Sequence, residues 1–379
     1  MNSVSNHLFN SDFINKLPYE TPFFLFSNKK IVNNYREFRE LFPKSSIHYA
    51  MKANSEPGVL KLLAEAGCGF EVASAHELRL LEKIKVSPEK IIYGTSVKPG
   101  SHIKDFFKFG VNRFAFDSFH ELEKIAREAP GSKVYVRVIA NDMGSVFKFS
   151  EKFGTDMVNA LPLLMRAREL KLHPYGISFH VGSQASNPLA WASTIEKLQP
   201  VIKDLKKVGI KLDILDLGGG YPSTYLSTEF PLSLKEIAAN TLRQYKKLPY
   251  QPKLILEPGR GLIANAGILV VSVIARIERK SSVWLFLDAG VYNGLFEAMA
   301  YQGSTRYRVT TLKPKNNSGE TLFALAGPTG DSPDVITREA LLPANIEVGD
   351  KLVIHNVGAY SLSVTSTFNG FPKPNVYYI

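Results

Sequence analysis

The sequence predicts an α/β fold joined to an all-β one: a (β/α)8 TIM barrel with a C-terminal antiparallel β-sandwich or β-barrel domain. Three observations predict it. Eight short apolar, β-branched runs alternate with longer amphipathic stretches over about 210 residues, which is the rhythm of parallel βα units. From about Ile263 the texture changes to closely spaced β-prone runs separated by turn residues, the pattern of antiparallel strands. Several of the first eight runs end in lysine, histidine, glutamate or glycine, and in a barrel those ends share one mouth. A doubly wound open sheet stays as the alternative, because counting units does not close a barrel.

The eight runs are IHYAMKA from Ile47, GFEVAS from Gly69, IIYGTS from Ile91, RFAFDS from Arg113, VYVRVI from Val134, GISFHVG from Gly176, ILDLGGG from Ile214 and KLILEPG from Lys253. Between them, stretches such as Glu56–Gly67, Ala75–Ile84 and Thr194–Gly209 repeat apolar residues at helical spacing. After them come ILVVSVIARIER, SVWLFLDAG, TRYRVTTL, TLFALAG, KLVIHNV and NVYYI. The early run FFLFS, Phe23 to Ser27, precedes the first barrel strand and is expected to pair with the β domain. The expected division is residues 27–262 for the barrel, with 1–26 and 263–379 for the β domain.

Composition excludes several classes. At 45% apolar and 21% charged, the 379 residues have globular proportions. No stretch approaches the ~20 apolar residues of a membrane helix, and the N-terminus lacks a signal-peptide pattern. The single cysteine, Cys68, excludes an internal disulfide and a cysteine-built metal site. These features point to a cytoplasmic protein. The net charge of +11 is scattered, with no basic run interleaved with aromatics, so a diffusely basic surface is preferred to a nucleic-acid partner.

The strand ends carry the candidate chemistry: Lys52, Glu71, Arg137, His180 with Gly182 and Ser183, Gly218 to Gly220, and Glu257 with Gly259 and Arg260. Each has a plain structural reading. A lysine at a strand end is usually solvated, a lone histidine is usually a hydrogen-bonded core residue, and GGG can be a turn needing φ > 0. GGGYP is not a dinucleotide fingerprint. The convergence carries more weight. Glycine N–H groups with Ser183 and Arg260 suit a phosphate. A lysine can join an aldehyde, a carboxylate can keep a pyridine nitrogen protonated, and a flat imidazole can stack on an aromatic ring. Together they are the parts a pyridoxal phosphate site requires.

The motifs YAMKAN (Tyr49 to Asn54), FHVGSQ (Phe179 to Gln184), LDLGGGYP (Leu215 to Pro222) and EPGR (Glu257 to Arg260), followed by GPTGDSPD (Gly327 to Asp334) and GAYSLSVTSTFNGF (Gly358 to Phe371), run in order over nearly the whole chain. In this the chain resembles the fold type III pyridoxal-phosphate decarboxylases of ornithine, lysine, arginine and diaminopimelate, and most of all the ornithine branch. The resemblance implies that Lys52 holds the cofactor covalently, His180 stacks on its ring and Glu257 pairs with the pyridine nitrogen. A carboxylate at that place favours decarboxylation over racemisation. Ser183, Gly218, Gly219, Gly220, Gly259, Arg260 and Tyr360 are implied for the phosphate, with Glu71 and Arg137 completing the shell. It also implies a homodimer with shared active sites, in which Asp331 faces the substrate's distal group, Phe368 lines the pocket and Lys152 pairs with Asp334 of the other subunit.

Two positions depart from that pattern. The family's Cys-Asp is Gly330-Asp331 here, so the side chain that returns a proton after CO₂ leaves is missing. In FEAMAYQG, Gln302 stands where ornithine decarboxylases carry an aspartate for the distal ammonium. A charge-assisted contact is worth ~1.5–3 kcal/mol, so selectivity for a small diamino acid is expected to suffer. The expected substrate is therefore an ornithine-like amino acid or an aminocarboxypropyl group on a larger biosynthetic intermediate, of siderophore or peptide-nucleotide type. A catalytically impaired regulator on this scaffold and a racemase are the alternatives.

Overall fold

The computed structural model describes residues 9–142, 144–149, 151–225, 233–280, 282–300, 307–314 and 319–379. They form two compact units, Val32–Pro222 with Pro231–Leu262, and Met1–Ile31 with Ser223–Phe230 and Ile263–Ile379. The first strand, β1 (Phe23–Phe26), belongs to the second of these.

The first unit contains the barrel. Its strands are β2 (Ser46–Ala50), β3 (Gly69–Val72), β4 (Ile91–Tyr93), β5 (Arg113–Phe116) and β6 (Lys133–Val138). A short strand β7 (Ser145–Phe147) intervenes before β8 (His173–Phe179), and another, β9 (Ser183–Ala185), before β10 (Ile214–Asp216) and β11 (Lys253–Leu256). The closed order is β10-β11-β2-β3-β4-β5-β6-β8, with every pairing parallel. All eight expected runs are barrel strands, and the open-sheet alternative is excluded. Strands covered on both faces read as continuous apolar runs; β3, β4 and β10 are buried at every residue. Ile92, Ala115, Tyr135, Ile214 and Ile255, from five different strands, pack together in one cluster.

Local chemistry starts the helices where the sequence says. Ser74 and Ser118 each accept the N–H of a glutamate three residues on, Glu77 and Glu121, the first half of a capping box. Lys98 is buried beyond β4, 3.0 Å from Glu121, and donates to the carbonyls of Thr95 and Ser96. Glu121 also pairs with Lys124 at 2.6 Å. This network ties the loop after β4 to the neighbouring helix, and it explains why a lysine is tolerated there.

The second unit adds β12 (Gly267–Arg279), β13 (Ser282–Leu287), β14 (Val309–Thr311), β15 (Glu320–Ala326), β16 (Val335–Pro343), β17 (Lys351–His355) and β18 (Asn375–Tyr378). The path is β14-β17-β12-β13-β15-β16. β1 pairs antiparallel with β12 and parallel with β18, so Phe23 to Phe26 join the β unit as expected. The sheet is mostly antiparallel; β13–β15 is a second parallel pair. Phe23 and Leu25 pack with Ile14, Ile268, Val270, Leu312 and Val353. β16 escaped the sequence reading because its run is broken by Thr337, Arg338 and Glu339. It is the terminal strand of the path, and a partly solvated edge carries charge by design.

Candidate active site

Lys52 lies in a single 3₁₀ turn, Met51–Ala53, immediately after β2. The register pairs Ala50 with Glu71 on β3, which brings Lys52 Nζ to 3.7 Å from Glu71 Oε2. Lys52 keeps 44% of its side-chain surface exposed while Glu71 is buried, so the amine faces the barrel mouth and the carboxylate forms its wall. Arg137, late on β6, is half-buried and feels the charges of Glu257, Glu71, Asp117 and Asp216; desolvation lowers its pKa and the carboxylates oppose that shift.

Three carboxyls from separate strands meet here. Glu71 and Glu257 both approach Gly94, just past β4, closely enough that a Cβ there would lie 3.0 Å from Glu257 Oε1 and nearer still to Glu71. Asp216 closes β10 and is fully buried. Its Oδ1 accepts the Gly218 N–H at 2.9 Å, and its carboxyl is hydrogen-bonded to that of Glu257. Burial first, then the neighbouring carboxylates, push Glu257 well above the usual carboxylate range. Burial pushes Asp216 up to about 6. Burial and their mutual nearness thus oppose charging both carboxyls at once. Asp216 was not singled out in the sequence; it looked like one more residue of an apolar run.

A stability test follows from this pair. A carboxyl whose folded pKa is raised stabilises the fold below its unfolded pKa and loses that contribution as pH rises through the folded value. Asp216→Asn removes this dependence while keeping an acceptor for Gly218. In cofactor-free protein, the variant should gain on the wild type by up to about 1.4 kcal/mol per pH unit between roughly pH 4 and 6. Urea titrations at several pH values measure the difference, and a gap independent of pH refutes the raised Asp216 pKa.

His180 follows β8. Its Nδ1 accepts the Gly182 N–H at 3.1 Å, and the Phe149 ring meets it edge-on at 4.9 Å. Burial, with Arg137 and Lys52 nearby, holds it well below the usual imidazole pKa, so it is neutral. A Cβ on Gly219 would stand 2.9 Å from its Nε2 and 2.8 Å from the Glu257 carbonyl. Gly218 has φ 62°, and a Cβ there would collide with the Phe179 carbonyl. Both positions need glycine, for conformation at Gly218 and for space at Gly219. The Gly218 N–H is committed to Asp216. Among the described residues no acceptor takes the N–H of Gly219 or Gly220, which leaves two adjacent donors of the kind an oxyanion requires.

The strands β7 and β9, both absent from the sequence reading, pair through Ser145–Ala185 and Phe147–Ser183. They fix Ser183, which is buried, and Ala185 N–H binds the Gly220 carbonyl at 3.0 Å. Arg260, buried just past β11 and Gly259, has its guanidinium 5.5 Å from the Phe147 ring centre. Thus the structure brings Lys52, Glu71, Arg137, His180, Ser183, Gly218, Gly219, Gly220, Glu257, Gly259 and Arg260 to the C-terminal ends of the barrel strands. A reactive amine, a neutral aromatic wall, a carboxyl cluster and free N–H donors fit pyridoxal phosphate in kind and number.

The remaining candidates belong to the β unit. Asp331 accepts the Tyr292 hydroxyl, and the Tyr292 and Phe368 rings lie 4.5 Å apart. Tyr292 was missed, since nothing in VYNG marks one tyrosine among sixteen. A Cβ on Gly330 would meet nothing within 4 Å. Tyr360 adopts a left-handed backbone, φ 52°. Asp334 is buried, and its carboxylate accepts from Val291 N–H at 2.8 Å, Thr329 N–H at 3.1 Å and Thr329 Oγ1 at 2.6 Å. Its charge thus organises its own loop; Lys152 Nζ lies 5.1 Å from the Phe153 ring centre. Gln302 lies outside the described residues. Among those described, no helix is long and apolar enough to cross a membrane, and no metal-ligating cluster occurs.

Residues 28–264 match the model of the pyridoxal-dependent decarboxylase family, pyridoxal binding domain. The chain is 33% identical to the lysine/ornithine decarboxylase of Selenomonas ruminantium, over 93% of this chain and 88% of that one. It is equally 33% identical to antizyme inhibitor 2 of Xenopus laevis, over 94% and 80%. Among solved structures it superposes on the arginine decarboxylase of Paramecium bursaria Chlorella virus with a TM-score of 0.91, 28% identity and 98% and 100% coverage. The lysine/ornithine decarboxylase of Vibrio vulnificus gives 0.89 at 30% identity, with 97% and 98% coverage. With the closed barrel, the mouth chemistry and these likenesses in agreement, the chain belongs to the fold type III family of pyridoxal-phosphate-dependent amino-acid decarboxylases, near its ornithine decarboxylase branch.

Proposed function

We propose that this enzyme removes the α-carboxylate, as CO₂, from an ornithine-like L-amino acid or from an aminocarboxypropyl group on a larger biosynthetic intermediate. When bound, pyridoxal phosphate supplies an electron sink conjugated to the substrate's α-carbon. The protein does the rest. Lys52 would hold the cofactor covalently through its amine. His180, neutral and wedged against Phe149, presents a flat face to the ring. Glu257, raised by its buried neighbours, keeps a proton at the pyridine nitrogen, with Asp216 positioning it. Arg137 and Glu71 balance charge beneath the ring. Gly219, Gly220, Ser183, Gly259 and Arg260 grip the phosphate, Gly218 shapes that turn, and Tyr360 completes it. The observation that carries this reading is the shielded Glu257–Asp216 pair at the mouth that also presents Lys52.

Substrate choice rests on the β unit. Asp331, oriented by Tyr292, takes the substrate's distal polar group, and Phe368 lines the same pocket. The open space at Gly330 suits a group bulkier than a bare ammonium, and glycine brings no proton to the α-carbon. We assign the active form to a cytoplasmic homodimer in which these loops complete the partner's barrel mouth. Release of CO₂ by the cofactor-loaded enzyme should be weak on L-ornithine, lysine and diaminopimelate, and strong on an N-substituted diamino acid. Brisk turnover of free ornithine overturns the larger-substrate assignment. Mixing Lys52→Ala with Asp331→Ala chains should restore about a quarter of the activity if the sites are shared, and none if each chain works alone.

The likeness to antizyme inhibitor 2 favours a second reading, a regulator without catalysis. Lys52, His180, Glu257 and the unclaimed glycine donors weigh against it, because a regulator does not need them together. Lack of any CO₂ release, with no cofactor retained on purification, would establish the regulator.

A further inference from the structure

At the opposite end of the barrel from Lys52, the strands β2, β3, β5 and β11 begin around a cavity of about 250 Å³. Arg39, Lys90, Arg113 and Lys253 line it, with Glu89 as the one acidic residue of the lining. Arg39 comes from the helix Asn28–Leu41, Lys90 from the turn before β4, and Arg113 and Lys253 are the first residues of β5 and β11. Four cations from four elements are thus brought together only by closure of the barrel. We propose that this floor binds a small, multiply charged oxyanion, a phosphate or polycarboxylate compound distinct from the cofactor and from the amino-acid substrate.

Two of the cations, Arg113 and Lys90, are held by backbone carbonyls, and Glu89 is the one carboxylate of the lining that acts on them. Arg113 Nη2 donates to the Ile91 carbonyl at 2.8 Å, and Lys90 Nζ to the Gly67 carbonyl at 3.2 Å. Among the described residues none of the four forms a salt bridge. Carbonyls fix a guanidinium and an ammonium in place without cancelling their charge, so Arg113 and Lys90 stand ready before any anion arrives. Glu89 is itself engaged by the Ser87 hydroxyl.

A second observation comes from the wall. His48, buried on β2 and part of the lining, has an Nδ1 with no hydrogen-bond partner among the described residues. Burial, then Arg113, Lys253 and Lys90, push its pKa down to about 3. The field of three of the four cations therefore converges on one point at the cavity wall. Like charges gathered in this way repel one another, and an oxyanion removes that repulsion. The volume equals about eight waters at ~30 Å³ each. That is room for pyrophosphate or citrate, and more than one monovalent ion needs.

The test is calorimetric titration of the full-length, cofactor-loaded protein with pyrophosphate and, separately, citrate at low salt. Cofactor loading keeps the phosphate grip at the other end of the barrel occupied. One anion per chain is expected. Lys253→Gln removes no described backbone contact and should weaken binding about tenfold. Lys253→Gln with Arg113→Gln should abolish it, and Lys197→Gln, on an exposed helix face, should leave it unchanged. Preference for pyrophosphate or for citrate assigns the natural ligand to phosphates or to polycarboxylates. Equal loss in Lys197→Gln and Lys253→Gln, or no loss in Lys253→Gln, overturns the site. Because the readout is binding, its failure leaves the decarboxylase assignment untouched.

Discussion

Lys52→Ala is expected to lower CO₂ release at least about a thousandfold on any amino acid the wild type accepts. The barrel places the Lys52 amine 3.7 Å from Glu71, and among the described residues no other lysine pairs with that carboxylate, so covalent tethering has no ready substitute. Its loss should not unfold the protein. The Lys52–Glu71 contact is 3.7 Å long with Lys52 44% exposed, and such a pair contributes ~1 kcal/mol or less. The melting temperature should therefore hold while activity vanishes. Borohydride reduction followed by mass spectrometry gives an independent reading: the wild type should gain the mass of the cofactor irreversibly, and Lys52→Ala should not. A variant that still turns over at a tenth of the normal rate would remove Lys52 from the chemistry.

The fold was legible because parallel strands buried on both faces leave continuous apolar runs, and all eight runs from Ile47 to Gly259 became barrel strands. Where strands are partly solvated the signal fails, as in β16 with its central Thr337, Arg338 and Glu339, or in the three-residue pair β7 and β9. The site shows the same division. Lys52, His180 and Glu257 stand out as polar residues ending apolar runs. Asp216 does not, since its role depends on Glu257, 41 positions away, and is created only when β10 and β11 pair through Leu215–Leu254 and Asp216–Ile255. The proposed phosphate grip was read as three equivalent glycines. The structure distinguishes them: Gly218 spends its N–H on Asp216 and serves as the hinge of the turn. The anion floor was illegible for the same reason as Asp216, because Arg39, Lys90, Arg113 and Lys253 look like scattered surface charge until the barrel closes.

Glu257→Gln separates catalysis from stability more sharply than any other change at the mouth. The carboxyl is largely shielded, beside Asp216 and Glu71, and held well above its usual pKa by desolvation and by those neighbours. Burial and the neighbouring carboxylates outweigh the help that Lys52 gives, so the amide should leave the cofactor-free protein as stable as the wild type or more so. On the proposed reading its value lies in the loaded enzyme, where its charge would hold a protonated ring nitrogen in place. An amide can accept a hydrogen bond there but offers no charge to keep the proton in place. The expected loss in kcat is about 10²–10³-fold. Retention of cofactor should be little changed, because Gly219, Gly220, Ser183 and Arg260 are untouched. Glu257→Asp should recover part of the rate, since it restores the charge at a longer reach. If Glu257→Gln instead loses the fold or the cofactor along with its activity, Glu257 is a structural member of the carboxyl cluster and the electron sink is supported by another group.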